Sequence, residues 1–317
     1  MNLVTIYPGQ GSQKLGMGKF LFDEFKFVQT KFEEASDAIK IDFKKLCFAS
    51  SEQDLALTKN TQPALLLVSH CYFAVLKENA GLKPTASAGH SVGEYAAMVN
   101  ENAISLSDGI KSVRLRGELM QSATPPGLGG MVAVLGASDE DIIKICAEMK
   151  SKAPKLVLEP ANFNSPGQVV LSGHLEAIEF LKKEIGSFTF LSKQPKLIPL
   201  KVSAPFHCSL MKPAEEGLAE HFKGVKFSSP NAPIVQNVIA LPETKPENLK
   251  SNLVKQVSAS VRWVECVQAL QKFEPSYFLE LGVGTVLTGL NKKIAPDVKT
   301  LNFETIDGLK EIERLFK

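Results

Sequence analysis

"AGHSVGEYAA", residues 88–97, sets Gly89-His90-Ser91-Val92-Gly93 between a strand-like run of small residues and a helix predicted from Val92 to Asn100. G-x-S-x-G at such a turn is the pattern of a serine nucleophile. Its glycines let the chain reverse sharply and leave the hydroxyl exposed at the edge of a sheet. The strand-turn-helix order also speaks for the fold, because strand and helix alternate on either side of it. That alternation predicts an α/β protein with a parallel sheet covered by helices on both faces.

Working outward, residues 3–7 (LVTIY) read as a buried strand running into the turn PGQGSQ (8–13), and the charged, periodic stretch 20–45 reads as helix. Residues 61–81 read as a long apolar core helix, with Pro63 in its first turn and Gly81 as its stop. Another helix is predicted over SLSDGIKSVRLRGELMQSA (105–123).

After the break TPPGLGG (124–130) the order changes. Strand 131–135, helix 138–149, strands 156–161 and 168–172, helix 175–185 and strand 189–191 give the split β-α-β-β-α-β order of a ferredoxin-like unit. Beyond KQPKLIPLKVSAP (193–205) the α/β alternation resumes. The predicted organisation is therefore a large α/β domain (1–127 and 196–317) interrupted by a small ferredoxin-like α+β domain (128–195).

Bulk properties narrow the function classes. At 317 residues, 44% hydrophobic and 22% charged, the chain has the composition of an ordinary globular protein. A net charge of +2 with scattered lysines gives no footprint for nucleic acid. Cys47, Cys71, Cys146, Cys208 and Cys266 are far apart and include no C-x-x-C pair, which points to a reducing compartment and to no metal site. No apolar run reaches the roughly 20 residues of a membrane span, and the first residues lack the features of a signal peptide. A cytoplasmic protein is expected.

A serine hydroxyl needs a base within reach, most often histidine. His70 lies in the apolar helix, His221 on a solvated helix face, and His174 at the start of a small-domain helix. His90 adjoins Ser91, so its side chain should point away. His207, in a loop after an apolar strand and a proline, is left as the base, with an ordinary loop histidine as the alternative. An acid to orient it does not stand out: Glu159 and Glu280 end strands, but neither is singled out. Gln10, in the turn after the first strand, is either an oxyanion donor or part of a plain tight turn. Arg116 faces the apolar side of its helix, where it meets either a substrate carboxylate or an internal Asp or Glu.

These motifs, with TQPALL (61–66), RLRGELMQ (114–121), ANFNSPGQVVLSG (161–173), VSAPFHCSLM (202–211), QNVIA (236–240), QVSASVRWVE (256–265) and LELGVGTVLTGL (279–290), occur in order along the chain. Together they resemble the malonyl-CoA:acyl-carrier-protein transacylases of bacterial type II fatty acid synthesis. The resemblance implies an α/β-hydrolase-like domain carrying a ferredoxin-like one. It implies that Ser91 accepts the malonyl group, that His207 is its base, and that the backbone carbonyl of Gln256 orients the histidine, so no acid is needed. It further implies an oxyanion hole from the N–H groups of Gln10 and Val92, and Arg116 on the malonyl carboxylate.

Asn162 falls in the family's segment near the acyl group, and Phe206 before the histidine is similar to the malonyl-selecting members. Val92 stands where leucine is usual, which hardly matters for a backbone donor. Gln256 is followed by VSAS where an aromatic is common, which bears only on local packing. The expected partners are acyl carrier protein and malonyl-CoA, with no cofactor and a monomer sufficient. The rival readings are a stand-alone polyketide acyltransferase, a serine esterase or thioesterase, and a non-catalytic carrier-binding protein.

Overall fold

The computed structural model describes residues 1–315. Its strands, in chain order, are β1 (Leu3–Tyr7), β2 (Ala86–Gly89), β3 (Gly129–Leu135), β4 (Leu158–Ser165) and β5 (Gln168–His174). They continue as β6 (Lys196–Pro199), β7 (Ile234–Gln236), β8 (Leu241–Glu243), β9 (Tyr277–Glu280) and β10 (Thr300–Leu301). They form two sheets, ordered β10-β9-β1-β2-β7-β8 and β4-β5-β3-β6.

The larger sheet is parallel from β10 through β7, with β8 turned back antiparallel at one edge. All five residues of β1 are buried, as a central strand covered on both faces requires. Its side chains alternate: Leu3 and Tyr7 join the core beneath helix Thr58–Ala80, whereas Val4 and Ile6 join the core on the opposite face with Trp263 and Leu287.

The smaller sheet is antiparallel throughout, and its β-α-β-β-α-β order is ferredoxin-like. The same two-residue period sorts β3. Val132 and Val134 pack under helices Asp139–Lys152 and Leu175–Glu184, while Met131 and Ala133 face the core of the larger domain. The small sheet therefore lays one face over the region where Ser91 lies.

Several elements differ from the sequence reading or refine it. The helical stretch 20–45 is divided among three helices, Lys19–Glu24, Lys26–Ile39 and Phe43–Phe48, with Lys40 in the left-handed region at φ 56° closing the second. The long helix begins at Thr58, so Pro63 lies in its interior rather than its first turn. Proline cannot donate to the carbonyl four residues back. That carbonyl, Lys59 O, accepts instead from Arg114 Nη1 at 3.2 Å. Residues 189–191 form no strand; the fourth strand of the small sheet is β6, across the boundary expected at 195. The hairpin strand β8, exposed and holding a proline, was not anticipated.

Candidate active site

β2 ends at Gly89, and helix Gly93–Asn100 begins three residues after His90. Between them Ser91 adopts φ 52°, a left-handed conformation that non-glycine residues adopt only when their surroundings hold them there. Neighbouring glycines make the turn possible. A Cβ on Gly89 would lie 1.9 Å from the Gly93 carbonyl carbon, and one on Gly93 would lie 2.2 Å from Tyr7 O. The Ser91 N–H donates to Asn237 Oδ1 at 2.8 Å, fixing the turn from below.

His207, also at positive φ (61°), brings its Nε2 to 2.7 Å from Ser91 Oγ. Its Nδ1 lies 2.8 Å from the carbonyl oxygen of Gln256. A carbonyl only accepts, so Nδ1 carries the ring proton and Nε2 is left free to receive the hydroxyl's. Burial, and then the Arg116 charge, push His207 down to about 3, so the imidazole is neutral at physiological pH.

The two strand-end acids serve elsewhere. Glu159 accepts from the Ser209 N–H at 2.7 Å and its hydroxyl at 2.8 Å, and Glu280 accepts from the N–H groups of Leu287 and Thr288. The remaining histidines are likewise engaged: His70 with Asn100, His221 with Ser112, and His174 with the Val157 N–H. The His90 ring turns away to Asn164 Oδ1 at 2.8 Å.

Arg116 is 1% exposed. Its Nη2 donates to Ser91 Oγ at 3.1 Å and to Gln256 Oε1 at 3.0 Å, and its Nη1 donates to Gln62 Oε1 at 2.9 Å. The guanidinium also lies 5.7 Å from the Tyr95 ring centroid. All three hydrogen-bond partners are uncharged, so among the described residues the internal ion pair considered from sequence is not formed and the buried Nε–H has no partner.

The cleft above Ser91 brings the other sequence-predicted residues together: Gln10, Asn162 and Phe206 line it with Arg116 and His207. Asn162 sits at a bulge of β4 and pairs across the domains with Val261. Val92 is buried at the start of the helix, and its N–H and that of Gln10 have no partner among the described residues. Sequence reasoning missed Gln62, Glu94 and Asn237. Gln62 stood in a quoted motif, yet an amide at the head of an apolar helix gives no sign of its partner.

A nucleophile elbow on a parallel sheet, a neutral histidine on its serine and a buried arginine beside both define an acyltransferase. Residues 4–306 match the family model for the acyl transferase domain. The chain is 39% identical over 308 residues to the malonyl CoA-acyl carrier protein transacylase of Staphylococcus aureus strain COL, covering 96% of each chain. It is 39% identical over 289 residues to that of Salmonella typhimurium, covering 91% of each.

The crystal structure of an acyl carrier protein S-malonyltransferase from Vibrio cholerae superposes with a TM-score of 0.92 at 38% identity, covering 98% of this chain and 100% of that one. A malonyl-transacylase solved in complex with its type II polyketide acyl-carrier protein does so with a TM-score of 0.93 at 38% identity, covering 99% and 100%. The chain belongs to the malonyl-CoA:acyl-carrier-protein transacylase family.

Proposed function

We propose that the chain transfers the malonyl group of malonyl-CoA to the phosphopantetheine thiol of acyl carrier protein through a malonyl ester on Ser91. In the first half-reaction the Ser91 proton passes to His207 Nε2 as Oγ bonds to the thioester carbon. The carbon–sulfur bond then breaks, and the departing thiolate takes the proton from His207. The second half runs the same steps in reverse with the carrier's thiol as nucleophile. Each half passes through an oxyanion, for which the Gln10 and Val92 N–H groups are the free donors; such a donor is worth on the order of 10² to 10³ in rate.

The observation that carries the substrate assignment is Arg116. A buried cation with no anion in hydrogen-bond contact is costly, and this one holds an Nε–H without a partner among the described residues while its Nη2 lies 3.1 Å from the nucleophile's Oγ. A malonyl carboxylate supplies the missing anion. It places the thioester at Ser91, and Asn162 and Phe206 wall the same space.

Leu200 and Val286, 36% and 50% exposed, line the outer cleft, and Lys201, Lys292 and Lys293 lie next to them in sequence or on the same helix. An apolar mouth with lysines suits a pantetheine arm and an acidic carrier. Five unpaired cysteines suit a reducing compartment such as the cytoplasm, and no described helix is long and apolar enough to cross a membrane.

Mixing the protein with malonyl-CoA and phosphopantetheinylated carrier tests the reading. Malonyl-carrier and free coenzyme A should form, and Ser91→Ala should abolish both. An esterase would release malonate instead. Competing a fatty-acid carrier against a polyketide carrier separates the two pathways that share this chemistry, and the fatty-acid carrier is expected to win.

A further inference from the structure

Glu94 lies three residues after Ser91, in the first turn of helix Gly93–Asn100, and is completely buried. The chemistry above does not use it. Removing a carboxylate from water is costly unless its oxygens are well partnered. Glu94 Oε1 accepts from Gln236 Nε2 at 2.9 Å, and Oε2 accepts from the Asn237 N–H at 2.8 Å and from Gln256 Nε2 at 2.9 Å. None of these donors is cationic.

Two of those donors also hold the site. Asn237 brackets the elbow: its Oδ1 takes the Ser91 N–H, and its Nδ2 donates to Gly89 O at 2.8 Å. Gln256 touches Ser91, Arg116 and His207 together. Its Nε2 reaches Ser91 O at 3.1 Å, its Oε1 accepts from Arg116 Nη2 at 3.0 Å, and its carbonyl accepts from His207 Nδ1 at 2.8 Å.

A glutamine amide has two faces of opposite polarity, and an ionised carboxylate only accepts. Glu94 therefore holds Nε2 on its own side and turns Oε1 toward Arg116; a flipped amide would set oxygen against oxygen and N–H against N–H. The carboxylate and the guanidinium also sense each other's charge across this amide. Burial pushes Glu94 up to about 6, while its three hydrogen bonds and then Arg116 pull it back.

We propose that Glu94 is a positioning residue: its buried carboxylate orients the Gln256 amide and Asn237 so that Ser91, His207 and Arg116 share one geometry. It also places negative charge opposite Arg116 without occupying the donors that a malonyl carboxylate takes. The inference rests on the malonyl-Ser91 reading.

The test is the rate constant for malonylation of Ser91 in a single turnover, with the burst amplitude counting correctly folded sites. Glu94→Gln keeps the shape and one acceptor oxygen. It should lose on the order of 10²-fold in rate constant, the scale of a misplaced reacting group, at full amplitude. In a Gln256→Leu background, which keeps the carbonyl that orients His207, the same change should cost no more than about tenfold, because only the link through Asn237 is left.

A rate constant for Glu94→Gln within about twofold of the unmodified protein, or losses that multiply in the double variant, would overturn the proposal. Should Glu94→Gln fail to fold, Gln256→Leu alone decides: it must lose its preference for malonyl-CoA over acetyl-CoA, and retention of both rate and preference overturns the linkage. Absence of Ser91 malonylation in the unmodified protein would instead refute the function itself, so the two failures remain distinct.

Discussion

At the scale of the residue, His207 is tuned by where it sits. A histidine whose folded pKa is depressed lends stability that is complete above its unfolded value of 6.5 and is lost as pH falls toward about 3, because the unfolded chain takes the proton first. Its ring should therefore stay neutral from pH 8 down past pH 5 in a nitrogen-resolved NMR titration. A ring titrating near 6.5 would contradict the buried dyad.

Arg116→Ala should lower kcat/KM for malonyl-CoA on the order of 10²-fold, the worth of charge-assisted hydrogen bonds. Acetyl-CoA, which has no carboxylate to lose, should be handled no worse; an equal loss for both would remove Arg116 from selection. Ser91 was legible from its flanking glycines, and His207 by elimination among five histidines. Gln62, Glu94 and Asn237 were not, because a buried amide or acid acquires meaning only from partners distant in sequence.

At the scale of the element, the elbow is set by backbone crowding. Gly89→Ala would push a Cβ into the backbone of Gly93, which no side-chain adjustment relieves. It should destabilise the fold by at least about 3 kcal/mol, the upper range for overpacking, in urea unfolding; a cost below about 1 kcal/mol would show that the turn relaxes.

The strand–turn–helix unit was readable because small residues, a polar turn and a helix follow one another locally. β6 was not, because an edge strand needs little apolar character. It is flanked by Pro195, ends at Pro199 and is largely exposed, features that edges tolerate and central strands do not. The SFTFLS stretch (187–192) looked more strand-like, yet Phe188 and Phe190 stack at 5.4 Å in the small domain's core without joining its ladder.

At the scale of the whole molecule, the small sheet meets the larger domain beside the nucleophile, through residues 260 and 261 ahead of helix Trp263–Gln271. The seam is β4: Phe163 N–H donates to Val261 O, Val261 N–H to Ala161 O, Ser260 Oγ to Pro160 O, and Glu159 clasps the turn after His207. The sequence predicted both units from their strand orders, but nothing in a strand order says how they meet. The small domain forms one wall of the cleft and also braces the loop that carries the base. Glu159→Ala should cost about 1 to 2 kcal/mol in urea unfolding, the loss of two hydrogen bonds to a carboxylate, and should slow Ser91 acylation more than it weakens malonyl-CoA binding. Unchanged acylation would separate the brace from the chemistry.

The most direct test follows the acyl group itself. After mixing with malonyl-CoA in the absence of carrier, intact-protein and peptide mass spectrometry should find one malonyl group on the peptide containing Ser91, stable until phosphopantetheinylated carrier removes it as malonyl-carrier. An unmodified Ser91, or a malonyl ester that decays to free malonate as fast as it forms, would contradict the account.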